Sequence, residues 1–179
     1  MHRYTTILDE ITQTLSHVTT TQAQQFIAHM TTAPAVYVAA KGRSGLVGQG
    51  FAMRLNQLGQ RAYVVGEVVT PPIKEGDVLL IISGSGSTTH LKILAEQAQK
   101  RGAQIILVST KDESPIADMA STVVVLPSGT KYDATGSVQP LGSLFEQSSQ
   151  IFLDAVVMDM MAAMHVDETV MQQNHANLE

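Results

Sequence analysis

Five consecutive aliphatic residues, Val78-Leu79-Leu80-Ile81-Ile82, run without interruption into Ser83-Gly84-Ser85-Gly86-Ser87-Thr88. A strand with one wet face alternates apolar and polar residues. A run apolar at every position must be covered on both faces, as parallel strands in α/β sheets are. Further runs of the same kind, four or five residues long, occur at residues 35–39, 62–65, 105–108 and 123–126. Helical spacing separates them: Leu46, Phe51, Leu55 and Leu58 ahead of Gly59, then Leu91, Leu94, Ala95 and Ala98 ahead of Gly102, each glycine placed to end its helix. Strands alternating with helices predict an α/β fold, one domain with a five-stranded parallel sheet between helical layers.

Outside this alternation, Tyr4, Ile7, Leu8, Ile11, Leu15 and Val18 follow steps of three and four, an amphipathic helix. A second helix runs from an N-cap at Thr21 through Phe26 and Ile27 to Met30, so a helix pair fills residues 1–33. Ser114-Pro115 reads as the cap and first position of a short helix. A polar loop from about Pro127 to Gln139 leads into a long helix from about Pro140 to Met164. With 44% hydrophobic but only 4% aromatic residues and no Trp, the core must be built from Val, Ile, Leu, Met and Ala.

Charge and composition exclude several classes. Sixteen acidic against eleven basic residues give a net charge of −5, against a nucleic-acid binder or a protein of anionic membrane surfaces. The chain has no cysteine, hence no disulfide, thiolate nucleophile or Cys-based zinc site. Asp154 and Asp159 interrupt the longest apolar stretch, 151–164, which is too short to span a bilayer. The amino end has no apolar signal core, so a cytoplasmic setting is expected.

The strand-to-helix turns carry the chemistry, because ligands of open parallel sheets sit beyond the carboxyl ends of the strands. In Ser83–Thr88 the glycines let backbone amides approach an anion, the helix start adds partial positive charge, and the hydroxyls add directional donors. The alternative is a flexible turn plus an N-cap. No Gly-Lys-Ser/Thr exists, which excludes a Walker A loop. Gly84 and Gly86 begin a dinucleotide fingerprint, but Thr89 holds the third glycine position, leaving only Glu67 to favour a nucleotide-binding oxidoreductase. The first turn, Lys41-Gly42-Arg43-Ser44-Gly45, offers a cation that is either a solvated surface group or a second anion contact.

Taken together, Gly42-Arg43-Ser44-Gly45, Phe51-Ala52-Met53-Arg54-Leu55 and Ser83-Gly84-Ser85-Gly86-Ser87-Thr88 resemble the sugar isomerase (SIS) domain. Within it, Gln139-Pro140-Leu141-Gly142-Ser143-Leu144-Phe145-Glu146-Gln147 and His175-Ala176-Asn177-Leu178-Glu179 resemble the 6-phospho-3-hexuloisomerase family, nearly end to end. The resemblance implies a three-layer αβα domain, homotetramers, no metal and no cofactor. It implies interconversion of 3-hexulose 6-phosphate and fructose 6-phosphate, with 3-hexulose-6-phosphate synthase as functional neighbour in formaldehyde fixation. The sequence departs from the family at Ser87, where Glu is usual, and at Val68-Val69 ahead of Thr70-Pro71.

Moving a carbonyl from C3 to C2 needs a base over both carbons and donors for the developing oxyanion, with no electrons leaving the substrate. The resemblance assigns the base to Glu146. By spacing alone Ser143, Glu146, Gln150 and Asp154 form the wet side of a helix, and an acid near a helix start also satisfies the macrodipole. His175 would ordinarily be an unimportant near-terminal residue. The resemblance makes it a proton-transfer or positioning group carried by segment 165–179 into a neighbouring subunit. Phosphate binding falls to Ser44, Ser83, Gly84, Ser85, Gly86, Ser87 and Thr88, with Gly42 and Arg43 at the sugar. The other histidines lack metal-ligand spacing, so no metal site is expected. Met158, Met160, Met161 and Met164 read as core filler or as a surface buried between subunits. The rivals are another SIS isomerase of a pentose or heptose phosphate, and a noncatalytic sugar-phosphate-binding module. Regulators of the second kind usually carry a DNA-binding domain, and the 33 residues ahead of the first strand show no helix-turn-helix or basic patch.

Overall fold

A computed structural model describes residues 2–130 and 136–178. Five strands, β1 (Val36–Ala40), β2 (Ala62–Val64), β3 (Val78–Ile82), β4 (Gln104–Ser109) and β5 (Thr122–Val125), form one all-parallel sheet ordered β2-β1-β3-β4-β5. The helices are α1 (Arg3–Leu15), α2 (Thr20–Thr32), α3 (Arg43–Gln57), α4 (Thr89–Gln99), α5 (Ser143–Met164) and α6 (Glu168–Gln173).

Pleating sorts the strand residues into two cores. Val36, Val38, Val78, Leu80, Ile82, Ile106, Val108 and Val124 face α2, α3 and α5. Tyr37, Ala39, Leu79, Ile81, Ile105 and Leu107 face α4 and the short turn at Ala117–Met119. Each fully buried Leu or Ile contributes ~1.5–3 kcal/mol relative to exposure, so the uninterrupted runs act as both floor and ceiling. The four phenylalanines all lie on the first face, and the Phe26 and Phe152 rings meet edge-on at 5.3 Å. Scarce aromatics are thus concentrated at the α2–α3–α5 junction. α3 lies so close to β1 that a Cβ on Gly48 would come within 2.9 Å of Val38 Cγ1.

Local chemistry moves two expected boundaries and adds one helix. The α2 cap is Thr19 rather than Thr21, because Thr19 and Gln22 close a reciprocal capping box. The long helix starts at Ser143, not Pro140, since Leu141 takes φ +56° and breaks the helical path. The additional helix α6 begins at Asp167, whose carboxylate caps the Val170 N–H. In the predicted short helix after Ser114, the Ser114 hydroxyl does cap the Ala117 N–H, over a single 3₁₀ turn. Of the expected polar loop 127–139, residues 131–135 lie outside the described residues, as do Met1 and Glu179.

Met160 is fully buried in the core, whereas Met158 is 71% exposed. α1 buries Ile11 but leaves Tyr4 and Leu8 exposed. Leu46 and Ile151 are exposed as well, and with Ile7 and Ile11 of α1 they line one apolar groove. Among the described residues no helix is long and apolar enough to cross a membrane.

Candidate active site

The strand order locates the site. β1 and β3 are neighbours, yet the helix leaving β1 packs on one face and the helix leaving β3 on the other. Their departures open a crevice at the carboxyl edge, the switch point at which doubly wound sheets bind ligands. The two turns facing it are those expected from the sequence, Gly42–Gly45 after β1 and Ser83–Thr88 after β3.

Gly42 caps α3 with φ +60° and ψ −139°, a conformation essentially confined to glycine. Ser44, half-buried, stands in the first turn of α3, where helix amides carry no intrahelical partner. The second turn is riveted from behind. The Gly84 carbonyl accepts from Thr110 N–H at 3.2 Å, Thr110 Oγ1 at 2.7 Å and Ser109 Oγ at 3.1 Å. The Gly86 carbonyl accepts from the Ile116 N–H at 3.1 Å. Gly86 has φ +59°, and a Cβ there would lie 2.7 Å from Ser114 Cβ, so both backbone conformation and close approach demand glycine. Ser83 is buried at the floor of the turn, while Thr88 occupies the α4 cap position without turning its hydroxyl back onto the helix.

One expectation for this loop needs adjustment. Gly86 N–H donates to the Ser83 carbonyl at 3.1 Å, and Ser87 N–H to Ser85 Oγ at 3.3 Å. Of the three loop amides expected to face an anion, those of Gly86 and Ser87 are therefore engaged within the loop, which leaves the Gly84 amide, the hydroxyls and the helix start as its donors. The Ser85 contact is long and exchangeable, whereas the Gly86 bond closes the turn itself.

Glu146 lies in the first turn of α5 with its side chain 17% exposed. Arg43 Nη1 sits 3.1 Å from Glu146 Oε2 and donates to Ser143 Oγ at 3.0 Å. The first residue of α3 thus grips the first turn of α5 across the crevice edge. One residue earlier, the Phe145 ring lies 3.4 Å from where a Cβ on Gly84 would be. The carboxylate and the Ser83–Thr88 turn accordingly share one corner of the molecule. Beside the ion pair opens a groove of about 490 Å³ walled by Ile7, Ile11, Leu46 and Ile151.

The site's geometry can be set beside known proteins. Residues 29–151 match the family model described as the SIS domain. A Bacillus subtilis protein named 3-hexulose-6-phosphate isomerase is 37% identical over 97% of this chain and 95% of its own length. One of the same name from Methylomonas aminofaciens is 35% identical over 97% and 96%. The chain belongs to the SIS domain family. A solved Methanococcus jannaschii structure, described as inferring a function of 3-hexulose-6-phosphate isomerase, superposes with a TM-score of 0.88 at 28% identity over all of both chains.

Within this SIS fold the two proposed proton-transfer residues are far apart in one chain. His175 follows α6 at the far end of α3, where Asn174 Nδ2 donates to the Gln57 carbonyl at 3.0 Å. Its ring lines a hollow of about 300 Å³ with Met53, Asn56 and Gln57. Arg43 and Gln57 are the two ends of α3. At 1.5 Å per residue they stand about 20 Å apart, so His175 and Glu146 of one protomer do not meet. A wet helix face was one reading the sequence offered for Ser143; it is buried, and its hydroxyl shares Arg43 with Glu146. Its place three residues before Glu146 was the available signal. Gln147 Oε1 and the Ser148 and Ser149 hydroxyls are buried without hydrogen-bond partners just beyond the site.

Proposed function

We infer that this chain is a 3-hexulose-6-phosphate isomerase, interconverting 3-hexulose 6-phosphate and fructose 6-phosphate through a cis-enediol. The observation that carries the reading is a half-buried carboxylate, gripped by Arg43 at 3.1 Å, beside a hydroxyl-rich turn at the sheet's switch point. The near full-length relatives named for this activity support it.

The phosphate is held by the hydroxyls of Ser44, Ser83, Ser85 and Thr88 and by the starts of α3 and α4. Gly84, Gly86 and Ser87 shape the turn, and Ser87 N–H joins the phosphate as its bond to Ser85 Oγ gives way. Glu146 removes the proton from C2 of the 3-hexulose and returns it to C3 on the same face. The C2–H electron pair becomes the C2=C3 bond of the enediol as the C3 carbonyl oxygen takes up a proton. Collapse to fructose 6-phosphate transfers the O2 proton away and forms C2=O, so atoms balance with no electron acceptor. Arg43, backed by Gly42, holds Glu146 in line and stabilises the oxygen on which charge develops.

His175 acts on the oxygen protons from a neighbouring subunit, which accounts for its distance from Glu146 in its own chain. A homotetramer supplies that neighbour and covers the apolar groove bearing Leu46 and Ile151. The whole chain acts as one domain, with segment 165–179 crossing between subunits. The reaction belongs to cytoplasmic formaldehyde fixation, downstream of 3-hexulose-6-phosphate synthase.

The direct test supplies formaldehyde, ribulose 5-phosphate and the synthase, and couples fructose 6-phosphate to glucose-6-phosphate isomerase and dehydrogenase. NADPH formation that depends on this protein is expected. Consumption of formaldehyde with no fructose 6-phosphate formed, while sugar phosphate still binds, makes the chain a binding module instead.

A further inference from the structure

Far from the ion pair in sequence, α1 carries an acid whose partners lie at the entrance to α5. Glu10 accepts three hydrogen bonds: from Val138 N–H at 2.9 Å, Ser137 Oγ at 3.0 Å and Gln139 Nε2 at 2.9 Å. Gln139 N–H in turn donates to Ser137 Oγ at 3.0 Å, closing the segment on itself. Three donors on one carboxylate, 127 to 129 residues away, make a clamp rather than a chance surface contact.

The clamped segment needs such an anchor. Its apolar side chains, Val138 and Leu141, are 79% and 78% exposed, so burial does not fasten it. Leu141 is held at φ +56°, which a residue with a Cβ adopts only where its surroundings impose it. From there the chain runs straight into the site. Ser143 N–H donates to the Pro140 carbonyl at 3.2 Å, and Glu146 N–H to the Gly142 carbonyl at 3.1 Å. A side chain on Gly142 would lie 3.7 Å from Glu146 Oε1. On the same helix, Ile7 and Ile11, three residues before Glu10 and one after it, wall the groove that Arg43 and Glu146 share.

We propose that Glu10 is a positioning residue for the isomerase reaction: its carboxylate fastens residues 137–139 and so sets the first turn of α5, and with it Glu146, against Arg43. The proposal rests on the assignment of Glu146 as base. It predicts an effect on the chemical step rather than on phosphate binding, because Ser83–Thr88 is riveted independently by Ser109, Thr110 and Ile116.

The test compares full-length wild type, Glu10→Ala and Glu10→Gln. For Glu10→Ala, kcat falls about 10- to 100-fold, the scale of a slightly misplaced catalytic group, while fructose 6-phosphate binding measured by calorimetry stays at the wild-type value. Glu10→Gln, which keeps an acceptor for Val138 N–H, recovers part of the loss. Hydrogen exchange at the Val138, Ser143 and Glu146 amides is faster in Glu10→Ala, while amides of α4 exchange as in wild type. Unchanged kcat, or a loss matched by weaker binding and faster exchange throughout α4, overturns the proposal. If wild type itself does not turn over 3-hexulose 6-phosphate, the functional reading fails. The exchange comparison then still decides whether Glu10 sets the start of α5, and unchanged exchange rejects it.

Discussion

Replacing Gly86 with Ala strikes the ligand-facing turn at its tightest point. The left-handed conformation at φ +59° costs an L residue ~1–2 kcal/mol. The new Cβ would sit 2.7 Å from Ser114 Cβ, so segment 114–116 must move. Ser114 then loses its 3.1 Å cap to the Ala117 N–H, worth ~1 kcal/mol. The 3.1 Å bond from Ile116 N–H to the Gly86 carbonyl is stretched, at a further cost of ~1 kcal/mol. The total is ~3–4 kcal/mol, a melting temperature about 10 °C lower for a chain of this size. Gly42→Ala is the control, because Gly42 also has positive φ but a Cβ there meets nothing within 4 Å. It should cost only the backbone strain, ~1–3 kcal/mol. Scanning calorimetry of both variants separates the two terms, and titration with fructose 6-phosphate should show weaker binding to Gly86→Ala. Equal losses of melting temperature in the two variants, or full stability of Gly86→Ala, would refute the close-approach argument.

Other perturbations reach the remaining parts of the account. Arg43→Ala should lower kcat by about 10²-fold if Arg43 both aligns Glu146 and meets the oxyanion; steady-state kinetics checks this. Because Arg43 is itself half-exposed, the same variant should lose no more than ~1 kcal/mol of stability by calorimetry. The Ser149 hydroxyl is buried without a partner, so Ser149→Ala should raise the melting temperature by about 2–4 °C, and a lower value would show an unrecognised partner. Burial works to raise the Glu10 carboxyl, but its bonds to Val138, Gln139 and Ser137 outweigh it and hold the group below its ordinary 4.5. That depression stabilises the fold above the unfolded value and is lost as pH falls through the lower folded one. Glu10→Gln should therefore cost about 0.5 kcal/mol at neutral pH and nothing in strong acid, as denaturation at both pH values would show.

The sheet and its ligand edge were legible because their signals are local. An unbroken apolar run fixes a doubly covered strand, and glycine marks the turns at Gly42 and Gly86 where the backbone needs positive φ. The α2 cap was ambiguous for a physical reason: Thr19 and Thr21 each precede a Gln by three residues, and the capping box closes at Thr19 and Gln22. Composition suggested an aliphatic core, yet Phe26, Phe51 and Phe152 cluster where three helices meet, which a percentage does not reveal. The roles of Arg43, Ser143 and Glu146 depend on α3 and α5 meeting across 100 residues of sequence. Glu10 gave no local signal at all, since its partners lie at the other end of the chain. His175 was named through family likeness alone; in its own chain it lies by the end of α3 opposite Arg43, away from Glu146.

Fructose 6-phosphate incubated with the protein in deuterium oxide, followed by proton NMR, reads the proposed chemistry at the atom where it occurs. If Glu146 forms the 2,3-enediol, the C3 proton signal disappears with wild type and persists with Glu146→Gln, while both proteins bind the sugar phosphate alike. Loss of a C1 proton instead would mean an aldose-forming isomerase, and equal exchange by Glu146→Gln would show that the base lies elsewhere.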